Sequence, residues 1–436
     1  MSIVLRQGSV VGPATTTLAD VLIIDGVVAE VAASIDAPSD ALEVDARDCW
    51  VGPGFVDLHT HTREPGREEA ETIESATNAA AVGGYTAIVA MPNTEPVLDN
   101  VALVSYVLER GARTALDVAV AGAITQGRRG ELLAPMAEMA ALGVRLFTDD
   151  GVGVQDPALM RRALTYATPL GVRLAQHCED EQLAAGGSMN EGLLSGRLGL
   201  TGRPALAEEL MVMRDLELVR LTGARMHFLH LSTARSLAMV VAARAEGLDV
   251  TCEVAPHHFT LDESLCASFD PVFKVHPPLR AARDVALLRE ALRRGAVDAV
   301  ATDHAPHAPE LKDLPFDEAP AGMLGLEEAA SLTYEALGAD DCDPTRFFEV
   351  LSRGPARVAQ LRRVDGRVRL SAHGGAVVAG EDANVVLFDP RVAWRVDRAT
   401  SRSRSLNTPY EGRAMRGRVR ATIAKGRLVV NEGALV

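Results

Sequence analysis

The sequence predicts an α/β protein: a (β/α)8 barrel or an open doubly wound sheet, with a small β-domain built from both chain termini. Three observations predict it. The middle of the chain alternates eight short apolar strand candidates with stretches of helical period, the pattern of parallel β/α units. Both ends carry strand and hairpin signals and no helical period. The chain has 436 residues, 47% of them hydrophobic, enough to enclose a large core without disulfides. The expected organisation is residues 1–52 as the N-terminal part of the β-domain, 53–362 as the central β/α unit, and 363–436 as the C-terminal part of the β-domain.

The elements follow in order. Ile3-Val4-Leu5 and Val21-Leu22-Ile23-Ile24 are rich in β-branched residues, and Asp25-Gly26 is a tight hairpin turn returning into Val27–Val31. The barrel strands are expected at Phe55–Leu58, Thr86–Met91, Asp117–Gly122, Val144–Phe147, Val172–Gln176, Met226–Leu229, Val250–Val254 and Ala296–Ala301. Helices are expected at Glu71–Val82, Pro157–Ala167, Ala205–Leu221, Ala234–Ala245 and Ala282–Arg293. Ala383–Asp389 reads as a strand, and Val419–Ala424, Lys425-Gly426 and Arg427–Val430 read as a terminal hairpin. Ser401–Ser405 reads as a solvated loop.

Composition removes several function classes. The formal net charge of −15 disfavours nucleic acid and anionic membrane surfaces as partners. Apolar runs are too short for a membrane span, and the N-terminus lacks the pattern of a signal peptide. The five cysteines are widely spaced with no Cys-x-x-Cys, which fits free thiols in a reducing cytoplasm. No Gly-x-Gly-x-x-Gly opens a helix after the first barrel strand, so a dinucleotide site is not expected.

In a barrel, chemistry sits at the C-terminal ends of the strands. Here those ends read His59-Thr60-His61, Met91-Pro92-Asn93-Thr94, Thr148-Asp149-Asp150-Gly151, His177-Cys178-Glu179, His230-Leu231-Ser232, Pro256-His257-His258 and Thr302-Asp303-His304-Ala305-Pro306-His307. The chain has only 11 histidines, and most lie at these ends. A strand has a period of two, so His59 and His61 are expected on one face with Arg63 beyond them. Imidazole and carboxylate donors without thiolate suit Zn²⁺, with Mn²⁺, Co²⁺ or Fe²⁺ as other candidates. Six donors exceed the needs of one catalytic zinc and suit two divalent metal ions sharing a carboxylate and a water.

With these motifs, and with Asp57-Leu58-His59-Thr60-His61-Thr62-Arg63-Glu64-Pro65-Gly66, Pro277-Pro278-Leu279-Arg280 and Ala301-Thr302-Asp303, the chain resembles the amidohydrolase superfamily, and within it the bacterial class I dihydroorotases. The resemblance covers nearly the whole chain and implies a (β/α)8 TIM barrel beside a small β-sandwich domain built from both chain termini. It implies reversible cyclisation of N-carbamoyl-L-aspartate to (S)-dihydroorotate in pyrimidine biosynthesis. It implies that His59, His61 and Asp303 hold one metal, that His177 and His230 hold the second, and that Asp150 rather than its neighbour Asp149 bridges them. Asp303 would also carry the catalytic proton. Substrate contacts would come from His61, Arg63, Asn93, His307 and the backbone near Ala321 and Gly322. Where many members have Asn, this chain has His276, which is expected to contact substrate with a different donor pattern. A homodimer is expected, with aspartate transcarbamoylase as a candidate partner.

Two rival readings differ in kind. A dihydropyrimidinase, hydantoinase or allantoinase usually bridges its metals with a carboxylated lysine at the end of strand four. No lysine precedes Lys274 in this chain. A dihydroorotase-like scaffold that serves only as a partner subunit would have lost ligands, and all six positions are filled here. Other residues carry plainer expectations. Cys178 packs; His257 and His258 support rather than ligate; His227 faces away from His230 across its strand; His373 is solvated; Glu68–Glu71 and Arg402–Arg404 are surface charge.

Overall fold

A computed structural model describes residues 2–361 and 370–436; the expected boundary at 362/363 falls outside them. Eight parallel strands follow one another in chain order around the barrel: Phe55–Thr60, Tyr85–Ala90, Asp117–Gly122, Leu146–Thr148, Arg173–Gln176, Met226–Phe228, Val250–Val254 and Ala299–Val300. All six residues of the first and of the second strand are buried, as expected of strands covered on both faces. The helices between them start where the sequence provides caps. Asn100, Asp156 and Thr233 each accept backbone N–H bonds at the starts of Val101–Gly111, Pro157–Ala167 and Ala234–Ala245.

Side chains at alternate strand positions divide into two layers. Phe55, Ile88, Val118, Phe147, Leu174, Phe228 and Val254 pack outward in the large cluster that includes the helices. Val56, Leu58, Ala87, Val89, Ala121, Leu146, Ala175 and Leu229 form a separate inner cluster. The inner side chains are small to medium because they share the narrow barrel axis.

The seam between the eighth and first strands closes differently. It has one parallel bridge, Thr60 to His304, with the His61 N–H donating to the His304 carbonyl at 3.0 Å. Asp57 supplies what the short ladder lacks. Its carboxylate accepts from the Thr302 N–H and hydroxyl, both at 2.7 Å, and from the Thr60 hydroxyl at 2.5 Å. Burial pushes the Asp57 carboxyl up to about 6, against the pull of these donors. The metal-site candidates His59, His61 and Asp303 stand directly beside this seam.

Both chain ends meet in one nine-stranded sheet. Ser2–Val11 pairs with Thr16–Ile24 on one edge and with Leu42–Asp45 and Trp50–Pro53 on the other. Trp50–Pro53 then pairs antiparallel with Val385–Arg395, which carries Ala414–Ala424 and Arg427–Asn431. Trp50, Phe55, Phe347, Phe348 and Phe388 stack at mostly edge or tilted angles, with centroids 4.7–5.8 Å apart, and wedge the sheet against the barrel. Among the described residues, no helix is long and apolar enough to cross a membrane.

Two expectations of solvated charge are corrected. His373 is buried: Nε2 lies 2.9 Å from Asp117 Oδ2 and Nδ1 lies 3.1 Å from the Thr86 hydroxyl. Thr86 and Asp117 belong to the N-terminal ends of their strands, so His373 helps close the barrel end opposite the site. Glu71 is also buried. It accepts from the Ser403 hydroxyl and, at 3.1 Å, from the Arg404 N–H, and it pairs with His304 Nε2 at 3.2 Å. The 401–405 loop is therefore fastened over the eighth strand, and Ser403 and Ser405 are buried rather than solvated. These partners are more than 200 residues apart, beyond the reach of any local pattern.

Removing the Asp57 carboxylate in Asp57→Ala leaves a buried N–H and two hydroxyls without their acceptor. This is expected to cost about 1–3 kcal/mol, read as a lower urea midpoint. An unchanged midpoint would show that the seam does not depend on Asp57.

Candidate metal centre

The bond pattern of the first strand explains how His59 and His61 reach the barrel mouth. Asp57 pairs with Ile88 and Thr60 with Ala90, three steps on one strand against two on the other. The extra residue is a β-bulge, which resets the alternation. Leu58 stays in the inner layer, and the next residue, His59, turns inward as well. The rings of His59 and His61 lie 5.2 Å apart. Three other mouth residues hold left-handed backbone: Arg63 at φ 57°, His230 at φ 27° and Asp303 at φ 48°. Such conformations cost of order 1–3 kcal/mol each in non-glycine residues and collect at functional sites.

The six candidate ligands converge. His59, His61 and Asp150 place ligand atoms within 4.8 Å of one another, and Asp150, His177 and His230 do the same. Asp150 belongs to both groups. Its oxygens lie 3.3 Å from His59 Nε2, 3.6 Å from His61 Nε2, 3.6 Å from His177 Nδ1 and 3.5 Å from His230 Nε2. Asp303 Oδ1 lies 3.2 Å from His61 Nε2 and 3.6 Å from His59 Nε2. Asp149 is turned elsewhere: its carboxylate accepts from the N–H groups of Ile124 at 2.8 Å and Thr125 at 3.0 Å, and from the Thr125 hydroxyl.

The donor set fits a divalent cation. His59 Nε2 and Asp150 Oδ1 are buried and have no hydrogen-bond partner among the described residues; they face each other at 3.3 Å with lone pairs to share. Burial alone would raise the pKa of Asp150, but His59, His177 and His230 hold it well below the usual carboxylate range. Asp303 is likewise lowered, by His61, His59 and His230 against its burial. Anionic carboxylates and inward-facing imidazole nitrogens gathered in one buried cluster are a cation-binding arrangement.

The cavity above this cluster has a volume of about 220 Å³. His61, Arg63, Asn93, His276, His307, Ala321 and Gly322 all line it, as do Asp150, His177, His230 and Asp303; His59 lies behind the wall. The Arg63 Nε–H donates to the Pro306 carbonyl at 3.0 Å, the one hydrogen bond of its guanidinium among the described residues. Burial and the neighbouring Arg67 lower its pKa to about 10, so it stays charged at neutral pH. Asn93 is engaged within the cluster: its Oδ1 lies 2.8 Å from His61 Nδ1, and its amide N–H donates to Asp150 at 3.4 Å. His276 Nε2 is buried without a partner among the described residues. Burial first, then Arg203 and His177, hold this imidazole neutral. His307 Nε2 lies 2.8 Å from the Ala321 carbonyl. Gly322, at φ 146°, passes so close that a Cβ there would stand 2.7 Å from His307 Nε2.

His257 Nε2 sits 4.0 Å from Asp303, and His258 Nε2 sits 2.9 Å from the Pro277 carbonyl. Cys178 is buried, which raises its thiol well above the usual range and fits packing. The expectation for His227 is corrected. It points into the barrel, where Nε2 lies 3.0 Å from Glu253. Counting parity back from His230 fails because the left-handed turn at His230 breaks the alternation after Phe228. Sequence reading also missed Glu253, which touches His59 Nδ1 at 3.0 Å. A lone glutamate in the apolar strand Val250–Val254 was the available signal.

Comparison with known proteins places this geometry among relatives. A family profile described as Dihydro-orotase-like matches residues 50–236. The dihydroorotase of Pelotomaculum thermopropionicum is 44% identical over 99% of both chains, and that of Mycobacterium tuberculosis is 44% identical over 95% of both. In solved structures, the L-hydantoinase (dihydropyrimidinase) from Arthrobacter aurescens superposes with a TM-score of 0.87 at 24% identity, covering 100% of this chain and 97% of that one. The dihydropyrimidinase from Brevibacillus agri gives 0.84 at 24% identity, covering 100% and 96%. The likeness to these two structures is one of fold.

Proposed function

The chain belongs to the dihydroorotase family of the amidohydrolases, and from that premise we propose how its cavity works. The reaction is the reversible cyclisation of N-carbamoyl-L-aspartate to (S)-dihydroorotate and water, a step of pyrimidine biosynthesis. The observation that carries the assignment of roles is Arg63, a buried cation on the wall of a small cavity with most of its guanidinium fork uncommitted.

In this reading Arg63 receives the carboxylate that substrate and product share, through a bidentate pair of N–H bonds. His307 and the backbone at Ala321 and Gly322 shape the same end of the cavity. His276 presents a neutral ring nitrogen to the substrate, where an asparagine would present an amide. His61, on the wall, orients the reacting carbonyl, and Asn93 orients His61 in turn. Asp303 moves the proton. In the hydrolytic direction it takes a proton from the attacking water and gives it to the ring nitrogen as the amide C–N bond breaks, leaving a carbamoyl NH₂ and a carboxyl group that releases the second water proton to solvent. In the synthetic direction the same carboxylate accepts the proton lost by the attacking nitrogen and returns it to the departing water, whose second proton comes from solvent.

Two divalent ions, zinc by the character of the donors, would be held by His59, His61 and Asp303 and by His177 and His230, with Asp150 shared. When bound, they supply an acidified water and polarisation of the carbonyl. The same reading takes the protein as a cytoplasmic homodimer, with aspartate transcarbamoylase as its candidate partner; co-migration of the two on sizing tests that association.

Assays with (S)-dihydroorotate, dihydrouracil and allantoin test the substrate. Turnover is expected with dihydroorotate, and turnover of either neutral ring without it would overturn the assignment. Arg63→Lys keeps the charge and loses the planar fork. It is expected to raise KM for dihydroorotate about ten- to hundredfold at unchanged metal content, and an unchanged KM would remove Arg63 from the carboxylate contact.

A further inference from the structure

Behind the metal centre, inside the barrel, lies a buried polar group that the proposed reaction does not use. Glu253, on the seventh strand, is fully buried, as are His59 and His227. Its Oε1 lies 3.0 Å from His59 Nδ1 and accepts from the His230 N–H at 3.3 Å. Its Oε2 lies 3.0 Å from His227 Nε2, and His227 Nδ1 lies 2.8 Å from the Thr251 hydroxyl. The inner layer of the barrel otherwise carries apolar side chains such as Leu58, Val89 and Leu229. A buried carboxylate–imidazole pair in such a setting adds little stability over an apolar pair of similar volume. Its contacts instead reach both halves of the site: the ring of His59 on one side and the backbone of His230 on the other.

We propose that Glu253 is a positioning residue for the metal centre, with His227 holding it in place. A neutral imidazole carries its proton on one nitrogen only. Glu253 takes the Nδ1–H of His59, which leaves Nε2 as a lone pair aimed at Asp150 and the cation. Without that acceptor, the proton is free to reside on Nε2. His59 would then donate to Asp150 across their 3.3 Å separation and would be lost as a ligand. The hydrogen bond to the His230 N–H steadies the left-handed turn at φ 27° that swings the His230 ring to the mouth. One buried carboxylate thus sets the ring orientation of a ligand to one ion and the backbone of a ligand to the other. Such outer partners of metal-bound histidines change affinity without touching the metal.

This proposal rests on the cation-site reading and not on the identity of the substrate. The test is Zn²⁺ affinity, measured on the full chain after removal of metal, by competition with a chromophoric chelator. Glu253→Met removes the acceptor and keeps the volume. It is expected to weaken Zn²⁺ binding about ten- to hundredfold and, because it leaves the His59, His227 and His230 N–H groups without their acceptor, to lower the urea midpoint of the metal-free protein as well. Glu253→Gln keeps an oxygen for the His59 Nδ1–H and is expected to restore most of the affinity. If Glu253→Met does not fold, the double variant Glu253→Met/His227→Met removes both partners and takes its place in the same titration. Wild-type affinity in a folded Met variant would overturn the proposal. Failure of the wild-type chain itself to bind Zn²⁺ would instead overturn the cation site.

Discussion

The convergence of buried lone pairs on Asp150 is the constraint on which the rest of the site depends. Four imidazoles and a second carboxylate, Asp303, crowd around one carboxylate, and all of them are buried. Hydrogen bonds among these groups do not satisfy them: His59 Nε2 and Asp150 Oδ1 have no partner among the described residues. Such an arrangement is costly in a low dielectric unless positive charge is shared across it. Divalent cations meet that requirement, and the chemistry of a cyclic amide hydrolase follows from meeting it.

The barrel supplies this convergence by giving each ligand a different strand. The first strand needs a bulge to turn His59 inward, the sixth needs a left-handed turn to bring His230 back to the mouth, and the eighth needs another at Asp303. Each is a local departure from regular strand geometry, and each is held by side-chain bonds from outside its own strand. Asp57 secures the seam next to His59 and Asp303, Glu71 secures His304, and Glu253 secures His59 and His230. All three carboxylates are buried. The mouth is therefore rigid where cations are expected and open where the cavity meets Arg63, His276 and His307.

Much of this was legible in the chain. Eight strand positions could be read because apolar runs alternate with capped helices, and three of the five expected helices have the observed limits. The candidate ligands could be read because polar residues cluster where strands end. Most of the exceptions share a physical cause. His373, Glu71 and Glu253 are polar groups buried by partners far along the chain, and burial of that kind leaves no periodic trace. His227 differs for another reason: the left-handed turn at His230 breaks the strand parity. Strand period alone puts His59 and His61 on one face, and it gives no sign of the bulge that turns His59 inward. Asp149 and Asp150 illustrate the same limit: adjacent and chemically alike, they part only because Ile124 and Thr125 offer donors to one of them.

The central claim is that Asp150 is shared between two cation sites. Anomalous diffraction at the zinc edge from crystals of metal-loaded protein tests it most directly. The account predicts two peaks flanking the Asp150 carboxylate, one beside His59 and His61 and one beside His177 and His230. A single peak, or peaks that leave Asp150 without a neighbouring ion, would contradict it.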